Sequence, residues 1–363
     1  MSSRLHGFLA GVHVLDLSRH LPGPLATLLL ADMGAEVTKV ESPAGDEMRS
    51  IGPIGPHGSS LFFDAVNAGK RSVRLDLKTA DGVAALRALA ATADVLVESF
   101  RPGVMARLGL GADVLRAANP GLICIALSGY GQDGPLRDVA GHDANYLALN
   151  GILSANGSAA APSYPHPPMA DCAASLFAVS SVLGALIARS RDGRGCEIDL
   201  ALADVTMPFQ LFSLAALGQD GRVPRPEQEF LNGGWACYRP YRLGDGGDVA
   251  LGAIEPQFWR RFCHAAAHPE WLPRHAEPLP QTALITELGG FFATMSRAEC
   301  ETRFAGVDCC LSVVNDLREA VDSAHVRERQ LVRQHPTMGI YEAAYPIYVD
   351  GQRPELRTPL AEG

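Results

Sequence analysis

The chain has 363 residues, 47% of them hydrophobic, which is too long for one compact core, so two domains are expected. A formal net charge of −9 and a pI near 5.7 argue against a nucleic-acid partner, which needs basic faces to neutralise phosphates. Any anionic ligand must therefore meet a local basic cluster. The eight cysteines contain no CxxC, and only Cys309 and Cys310 stand close together; buried free thiols in a reducing cytoplasm are expected. Met1–Gly11 lacks the charged start and apolar core of a secretory leader.

In chain order, Val12–Ser18 reads as a buried strand, and Pro22-Gly23-Pro24 turns into the apolar helix Leu25–Met33. Gly34 suits the helix end, and Glu36–Glu41 reads as the next strand. A strand, helix, strand unit implies a parallel sheet. The pattern repeats with a strand at Ser72–Leu77, a helix from a Thr79 cap through Ala93, and a strand at Asp94–Phe100. Val104–Asn119 is helical with a break near Gly109 and Gly111, and Leu122–Ser128 is a further strand. The fold class is α/β, with a Rossmann-like doubly wound parallel sheet in the large domain.

Gly129-Tyr130-Gly131-Gln132-Asp133-Gly134 matches GxGxxG, but Pro135 follows, no apolar-periodic helix opens there, and the strand before it is a late one. A glycine-rich turn at the sheet edge is preferred to a dinucleotide site. Asp171–Arg191 is strongly helical. Its core, Cys172–Ala188, is apolar enough to raise a membrane question, yet it is short for a span and contains Ser175, Ser180 and Ser181, so a buried core helix is expected. Cys196–Leu202 is a strand, and another helix runs to about Leu217.

The polar, proline-containing stretch 218–234 reads as a linker between a large domain, 1–217, and a smaller α+β domain, 235–331. In the latter, Ala236–Leu243 and Val249–Ala253 flank the hairpin signal Gly244-Asp245-Gly246-Gly247, Pro256–Ala267 is an amphipathic helix, and Leu311–Val314 is a strand. The closing segment, 332–363, is too short to fold alone and is expected to return to the large domain.

Two features suggest chemistry. Lys70, Arg71, Lys78, Arg101 and Arg107 come from successive loops and helix starts, and in a parallel sheet such loops converge along one edge into a phosphate-binding groove. His142, in Gly141-His142-Asp143-Ala144-Asn145-Tyr146, stands at a helix start, and imidazole is the side chain best suited to give or take a proton without extreme tuning. Asp171 reads first as a helix N-cap and second as a catalytic carboxylate beside free helix N–H groups that suit an oxyanion. Glu255 caps a helix or contributes a third charge. Cys263, His264 and His268 lack a further ligand with metal-site spacing, so no metal is expected. No GxSxG motif occurs.

These residues meet a known pattern. Val14-Leu15-Asp16-Leu17-Ser18, Leu30-Ala31-Asp32-Met33-Gly34-Ala35-Glu36-Val37, Gly69-Lys70-Arg71-Ser72, Leu75-Asp76-Leu77-Lys78 and Phe100-Arg101-Pro102-Gly103-Val104 resemble the CaiB/BaiF family, the class III coenzyme A transferases. Within it, Gly141–Tyr146 and Gly252-Ala253-Ile254-Glu255-Pro256-Gln257-Phe258 are most similar to the α-methylacyl-CoA racemase branch. The resemblance implies an interlocked homodimer and an acyl-CoA thioester substrate, with no cofactor beyond the coenzyme A that the substrate carries. It implies His142 and Asp171 as acid/base residues on opposite faces of the α-carbon, with Glu255 of a partner subunit behind His142. It further implies coenzyme A or substrate contacts from Leu75, Lys78, Ser99, Phe100, Arg101, Arg107, Gly141, Asp143, Asn145 and Tyr146. In the transferase branch the aspartate is instead a nucleophile.

Three departures stand out. The helix start Asp171-Cys172-Ala173-Ala174 is bulkier than the branch pattern, Asn232 and Trp235 replace an aspartate and an alanine, and Ser42 replaces an arginine, which passes a phosphate contact to Lys39 or Arg49.

Overall fold

The computed structural model describes residues 4–56, 58–158 and 160–362. The chain divides into two compact units. The first takes the chain through Leu149, His166–Phe209 and everything from Ala324 onward; the second takes Asn150–Pro165 and Gln210–Ser323.

The first unit is built on β1 (His13–Leu17), α1 (Pro22–Asp32), β2 (Glu36–Glu41), α2 (Leu61–Asn67), β3 (Arg71–Arg74), α3 (Ala80–Ala90) and β4 (Val95–Glu98). It continues through α4 (Val104–Arg107), α5 (Ala112–Ala118), β5 (Ile123–Ser128) and α6 (Asp143–Leu149). The short α7 (Ile152–Ala155) belongs to the second unit, and α8 (Met169–Asp192) and β6 (Glu197–Ala201) complete the first. The central strands β4 and β5 are short and nearly continuously apolar because helices cover both sheet faces; all four β4 residues and all six β5 residues are buried. Local signals agree with the packing. Pro22 and Pro24 sit in the first turn of α1, where proline leaves no helical hydrogen bond unmade, and the Thr79 hydroxyl accepts the Gly82 N–H at 3.1 Å to cap α3. The predicted helix Val104–Asn119 is split at Gly109, whose φ of +70° ends α4.

Seven parallel strands form one sheet in the order β12-β3-β2-β1-β4-β5-β6, where β12 is the closing pair Ala361–Glu362. Order reverses between β1 and β4, which makes the crevice beyond the carboxyl ends of those strands the place where a ligand fits. A core of Leu15, Leu17, Leu86, Leu96, Leu110 and Leu122 fills one side. On the other, α8 packs on α1, and the buried Ser175 hydroxyl donates to Pro22 O at 2.8 Å. Helix α8 is long and apolar enough to cross a membrane, with mean hydropathy 1.8. Its Ala170, Ala173, Ala174, Ala178, Val179 and Val182 are buried in the unit, while Leu176 and Ile187 on the other side are exposed. It is thus a core helix with one uncovered apolar face.

The second unit holds α9 (Leu211–Asp220), the antiparallel strands β7 (Tyr238–Arg242), β8 (Asp248–Gly252) and β9 (Leu311–Val313), and α10 (Pro256–Ala266), α11 (Thr282–Phe292) and α12 (Arg297–Arg303). Trp259, Phe262, Trp271, Leu288 and Phe292 form its core. Hairpin, helix and strand all fall where the sequence puts them.

The boundaries differ from those read in the sequence. Helix α9 and the stretch 218–234 belong with the second unit, as does the excursion Asn150–Pro165. The glycine and proline texture marks irregular backbone, but the stretch is tied down. Asn232 donates to Arg225 O and Ala155 O and accepts the Glu229 N–H, and Arg239 pairs with Glu227 at 3.1 Å. The closing segment does lie with the first unit: β10 (Val332–Gln334) pairs with β11 (Tyr341–Ala343), β12 joins β3, and Arg357 makes a two-pronged ion pair to the Asp32 carboxylate with both contacts at 2.7 Å.

Candidate active site

Two adjoining cavities of the first unit open at the carboxyl ends of the parallel strands. One, about 220 Å³, is walled by Leu17 and Val40 at the ends of β1 and β2, by Leu75, Leu77 and Phe100 in the loops after β3 and β4, and by Val104 and Leu108, with Lys78, Asp76 and Ser42 among its polar groups. The other, about 310 Å³, is walled by Ser99–Pro102 after β4, Ser128 and Gly129 after β5, and Gly141, His142, Tyr146 and Asp171. Arg19 and Phe100 line both. A slot with one apolar end and one end rich in titratable groups suits a ligand with an aromatic head and a reactive tail.

Most residues singled out in the sequence converge here. Leu75, Lys78 and Phe100 line the first cavity, and Ser99, Phe100, Arg101, Gly141, His142, Tyr146 and Asp171 line the second. Ser99 Oγ accepts the Arg19 N–H at 2.9 Å, joining the loops after β1 and β4. Local structure holds the histidine. The His142 N–H donates to Asn145 Oδ1 at 3.0 Å, and His142 O accepts the Asn145 N–H at 2.8 Å, so His142 stands at the start of α6. Asn145 therefore positions His142 and does not line either cavity. The Tyr146 hydroxyl donates to Gly141 O at 2.6 Å with its ring edge-on to Tyr130. Side chains crowd Gly141 itself: a Cβ there would lie 2.7 Å from Tyr130 Oη and 2.8 Å from Tyr146 Cε1.

Asp171 is not the helix cap. It occupies the first turn of α8, whose N-cap position is Pro168 with no side-chain cap. The cap comes from Asp143, a side chain expected to contact substrate, whose Oδ1 accepts the Ala170 N–H at 2.6 Å and the Asp171 N–H at 3.2 Å. The Cys172 N–H donates to Pro168 O. The Ala170, Asp171 and Cys172 N–H groups at this helix start are thus already engaged. Burial raises the Asp171 carboxyl to about 6, the Asp143 charge adds to that, and His142 opposes it.

Three basic residues are used elsewhere. Lys70 is fully buried, donating to Asp16 Oδ2, Asn67 Oδ1 and Pro24 O, each at 2.9 Å. Lys39 is 1% exposed, bonded to Ser18 O at 3.0 Å and paired with Asp46 at 3.1 Å, so it cannot take over a phosphate contact. Arg49 is clamped by two 2.7 Å hydrogen bonds to Glu41 and a 2.9 Å contact to Glu362. A strand-end lysine in sequence looks the same whether it faces ligand or neutralises a buried aspartate. Arg107 ends α4 without lining either cavity, its guanidinium lying over Gly103. Arg19, His20 and Arg137 were not singled out, yet they line the second cavity. The signal for Arg19 and His20 was their place immediately after β1.

Glu255 lies in the second unit, exposed, at the N-cap position of α10 without a side-chain cap bond. Trp235 Nε1 donates to His275 O, so this departure serves packing within its unit. Cys263 is buried and His268 pairs with Glu270; among the described residues no group of His, Cys, Asp and Glu is arranged to hold a metal ion. The GxGxxG stretch follows β5 but leads into turns, with no helix before α6. All eight cysteines are free thiols.

A parallel α/β unit with a two-part ligand slot at its switch point, holding an imidazole and a half-buried carboxyl at one end, defines a small-molecule enzyme class. Residues 9–360 match CoA-transferase family III, and the chain belongs to that family. It is 38% identical over 327 residues to the alpha-methylacyl-CoA racemase of Mus musculus, covering 88% of this chain and 81% of that one. It is 33% identical over 341 residues to the succinyl-CoA:glutarate CoA-transferase of the same species, covering 91% and 78%. Among solved structures, a CAIB/BAIF family protein from Brucella suis superposes with a TM-score of 0.84 at 28% identity, covering 97% of this chain and 96% of that one.

Proposed function

We propose that this protein interconverts the (R) and (S) forms of 2-methylacyl-CoA thioesters by proton transfer through an enolate. The observation that carries the reading is that His142 and Asp171 line one cavity, with burial and a neighbouring charge raising the Asp171 carboxyl to about 6. A two-base mechanism needs groups that both release and accept a proton near neutral pH, and an imidazole facing such a carboxyl meets that need. One base removes the α-proton from one face, and the other returns a proton to the opposite face. The adjoining apolar cavity with Lys78 at its rim suits the nucleotide end of coenzyme A, and Arg19, Arg101 and Arg137 give the reaction cavity a cationic wall against the negative charge of the enolate. No metal or redox cofactor is required.

The exposed Leu176 and Ile187 on α8, and Leu211, Phe212, Leu214 and Leu217 on α9, support a homodimer. Glu255 of the partner subunit is then available to pair with His142. A cytoplasmic location accords with the free thiols.

Transferase relatives support a second reading, in which Asp171 attacks the thioester and carries acyl and CoA groups in turn. Incubating a single enantiomer of a 2-methylacyl-CoA in D2O separates the two. Deuterium at C2 with inversion is expected; passage of CoA to an added carboxylate, without exchange, would replace the racemase reading by the transferase one.

A further inference from the structure

Asp171 presents a physical puzzle. A carboxylate in the first turn of a helix faces the positive end of the macrodipole and unpaired N–H groups, both of which favour the ionised form. Yet burial first, and the charge of Asp143 after it, displace the Asp171 carboxyl the other way. The geometry shows how that charge comes to lie there. Helix α8 begins after Pro168, which offers no side-chain cap, and the stabilisation due to an anion at that helix start has gone to a residue far away in sequence. Asp143, in the first turn of α6, reaches across so that its Oδ1 accepts the N–H groups of both Ala170 and Asp171.

We propose that Asp143 is a positioning residue whose carboxylate caps the start of α8 from the neighbouring helix and, from there, acts on Asp171 by its charge. The Asp143 Oδ1 accepts two N–H donors at the helix end. Asp171 is left beside that charge, partly buried, with its own backbone N–H spent on Asp143. The same carboxylate sets geometry: Asp143 directly follows His142, so one side chain joins the element that carries the imidazole to the helix that carries the carboxyl.

The charged and titratable groups around Asp171 are few. His142, Asp143 and Tyr146 face it from the α6 side and Cys172 from its own helix; Arg19, His20, Arg101 and Arg137 line the same cavity. Asp143 is the one carboxylate among them, and its distinct role is to withhold ionisation from Asp171. His142 acts in the opposite sense.

The proposal rests on Asp171 being an acid/base group, but its test does not require substrate. In Asp143→Asn the amide oxygen still accepts both N–H groups while the charge is gone. The titration midpoint of Asp171 is followed by carboxyl 13C shifts in 13C-aspartate-labelled free protein, its signal identified by its loss in Asp171→Asn. The midpoint is expected to fall by on the order of one pH unit in Asp143→Asn, with the circular dichroism spectrum unchanged. An unchanged or raised midpoint would overturn the proposal and leave Asp143 a neutral-equivalent cap. Should Asp143→Asn fail to fold, Asp143→Ser keeps a short uncharged acceptor, and the same fall is expected and the same null result is decisive. If the midpoint falls but no 2-methylacyl thioester exchanges its α-proton in wild-type protein, the charge device stands and the racemase reading fails.

Discussion

Replacing Lys70 by methionine perturbs the anchor beneath the ligand slot. Lys70 Nζ spends all three protons on Asp16, Asn67 and Pro24 O, in a position with no solvent access. Burial alone would raise the Asp16 carboxyl, but Lys70, Lys39 and the hydroxyls of Ser18 and Thr27 more than offset it and hold the group well below the carboxylate range. Removing one partner of a buried pair costs about 3–5 kcal/mol. Because Lys39 and the two hydroxyls remain, the low end, about 3 kcal/mol, is expected.

The pH dependence follows from the same direction. Asp16, depressed in the folded state, contributes stability above its unfolded pKa of about 3.9 and loses it as pH falls through the lower folded value. The deficit of Lys70→Met should therefore be full at pH 7 and shrink towards pH 3. Urea unfolding followed by far-UV circular dichroism measures it, while tryptophan fluorescence reports separately on the second unit, which holds Trp235, Trp259 and Trp271. The double variant Asp16→Asn, Lys70→Met should recover part of the loss. A single-variant deficit below about 1 kcal/mol at pH 7, the median worth of a surface pair, would refute the assignment of Lys70 as an anchor.

Three further outcomes are expected. Gly23→Ala should destabilise the protein by more than about 2 kcal/mol, because a Cβ would lie 2.1 Å from Ser18 Oγ and 2.2 Å from Ser18 Cβ; an unchanged unfolding midpoint would contradict the close approach of α1 to the end of β1. Burial, opposed by the Phe100 N–H and reinforced by Asp199 and Glu197, raises the Glu98 carboxyl to about 7. A raised acid penalises the folded state increasingly as pH rises from about 4 to 7, so Glu98→Gln should gain on the order of 2 kcal/mol at pH 8 and nothing at pH 4, measured by denaturant unfolding at both. Arg101→Gln should raise KM for an acyl-CoA about tenfold or more, the loss of one charge-assisted contact, whereas Arg107→Gln should leave KM within about twofold; equal effects would refute the different placement of the two arginines.

The large sheet was legible because β1, β4 and β5 carry apolar runs and the helices between strands have a stop or cap of their own, as at Thr79, Gly34 and Gly109. His142, Asp171 and Arg101 were legible because they stand at element starts on the sheet edge where parallel loops converge. The division of labour among charges was not. Lys39, Lys70 and Arg101 occupy similar sequence surroundings, and only the three-dimensional positions of Asp46, Asp16 and the cavity separate two anchors from one cavity-lining cation. The cap of α8 escaped for the same reason, since Asp143 lies on a different helix and capping rules read only local residues. Unit boundaries were misplaced because a Gly- and Pro-rich texture reports backbone irregularity, and the hydrogen bond from Asn232 to Ala155 O that helps fasten it is long-range.

The two-base assignment is tested most directly by α-proton exchange in D2O, from each enantiomer of one 2-methylacyl-CoA separately, in wild type, His142→Ala and Asp171→Asn. Racemisation should be lost in both variants, with His142→Ala abolishing exchange from one enantiomer and Asp171→Asn from the other. Exchange from both enantiomers persisting at wild-type rate in His142→Ala would contradict the account.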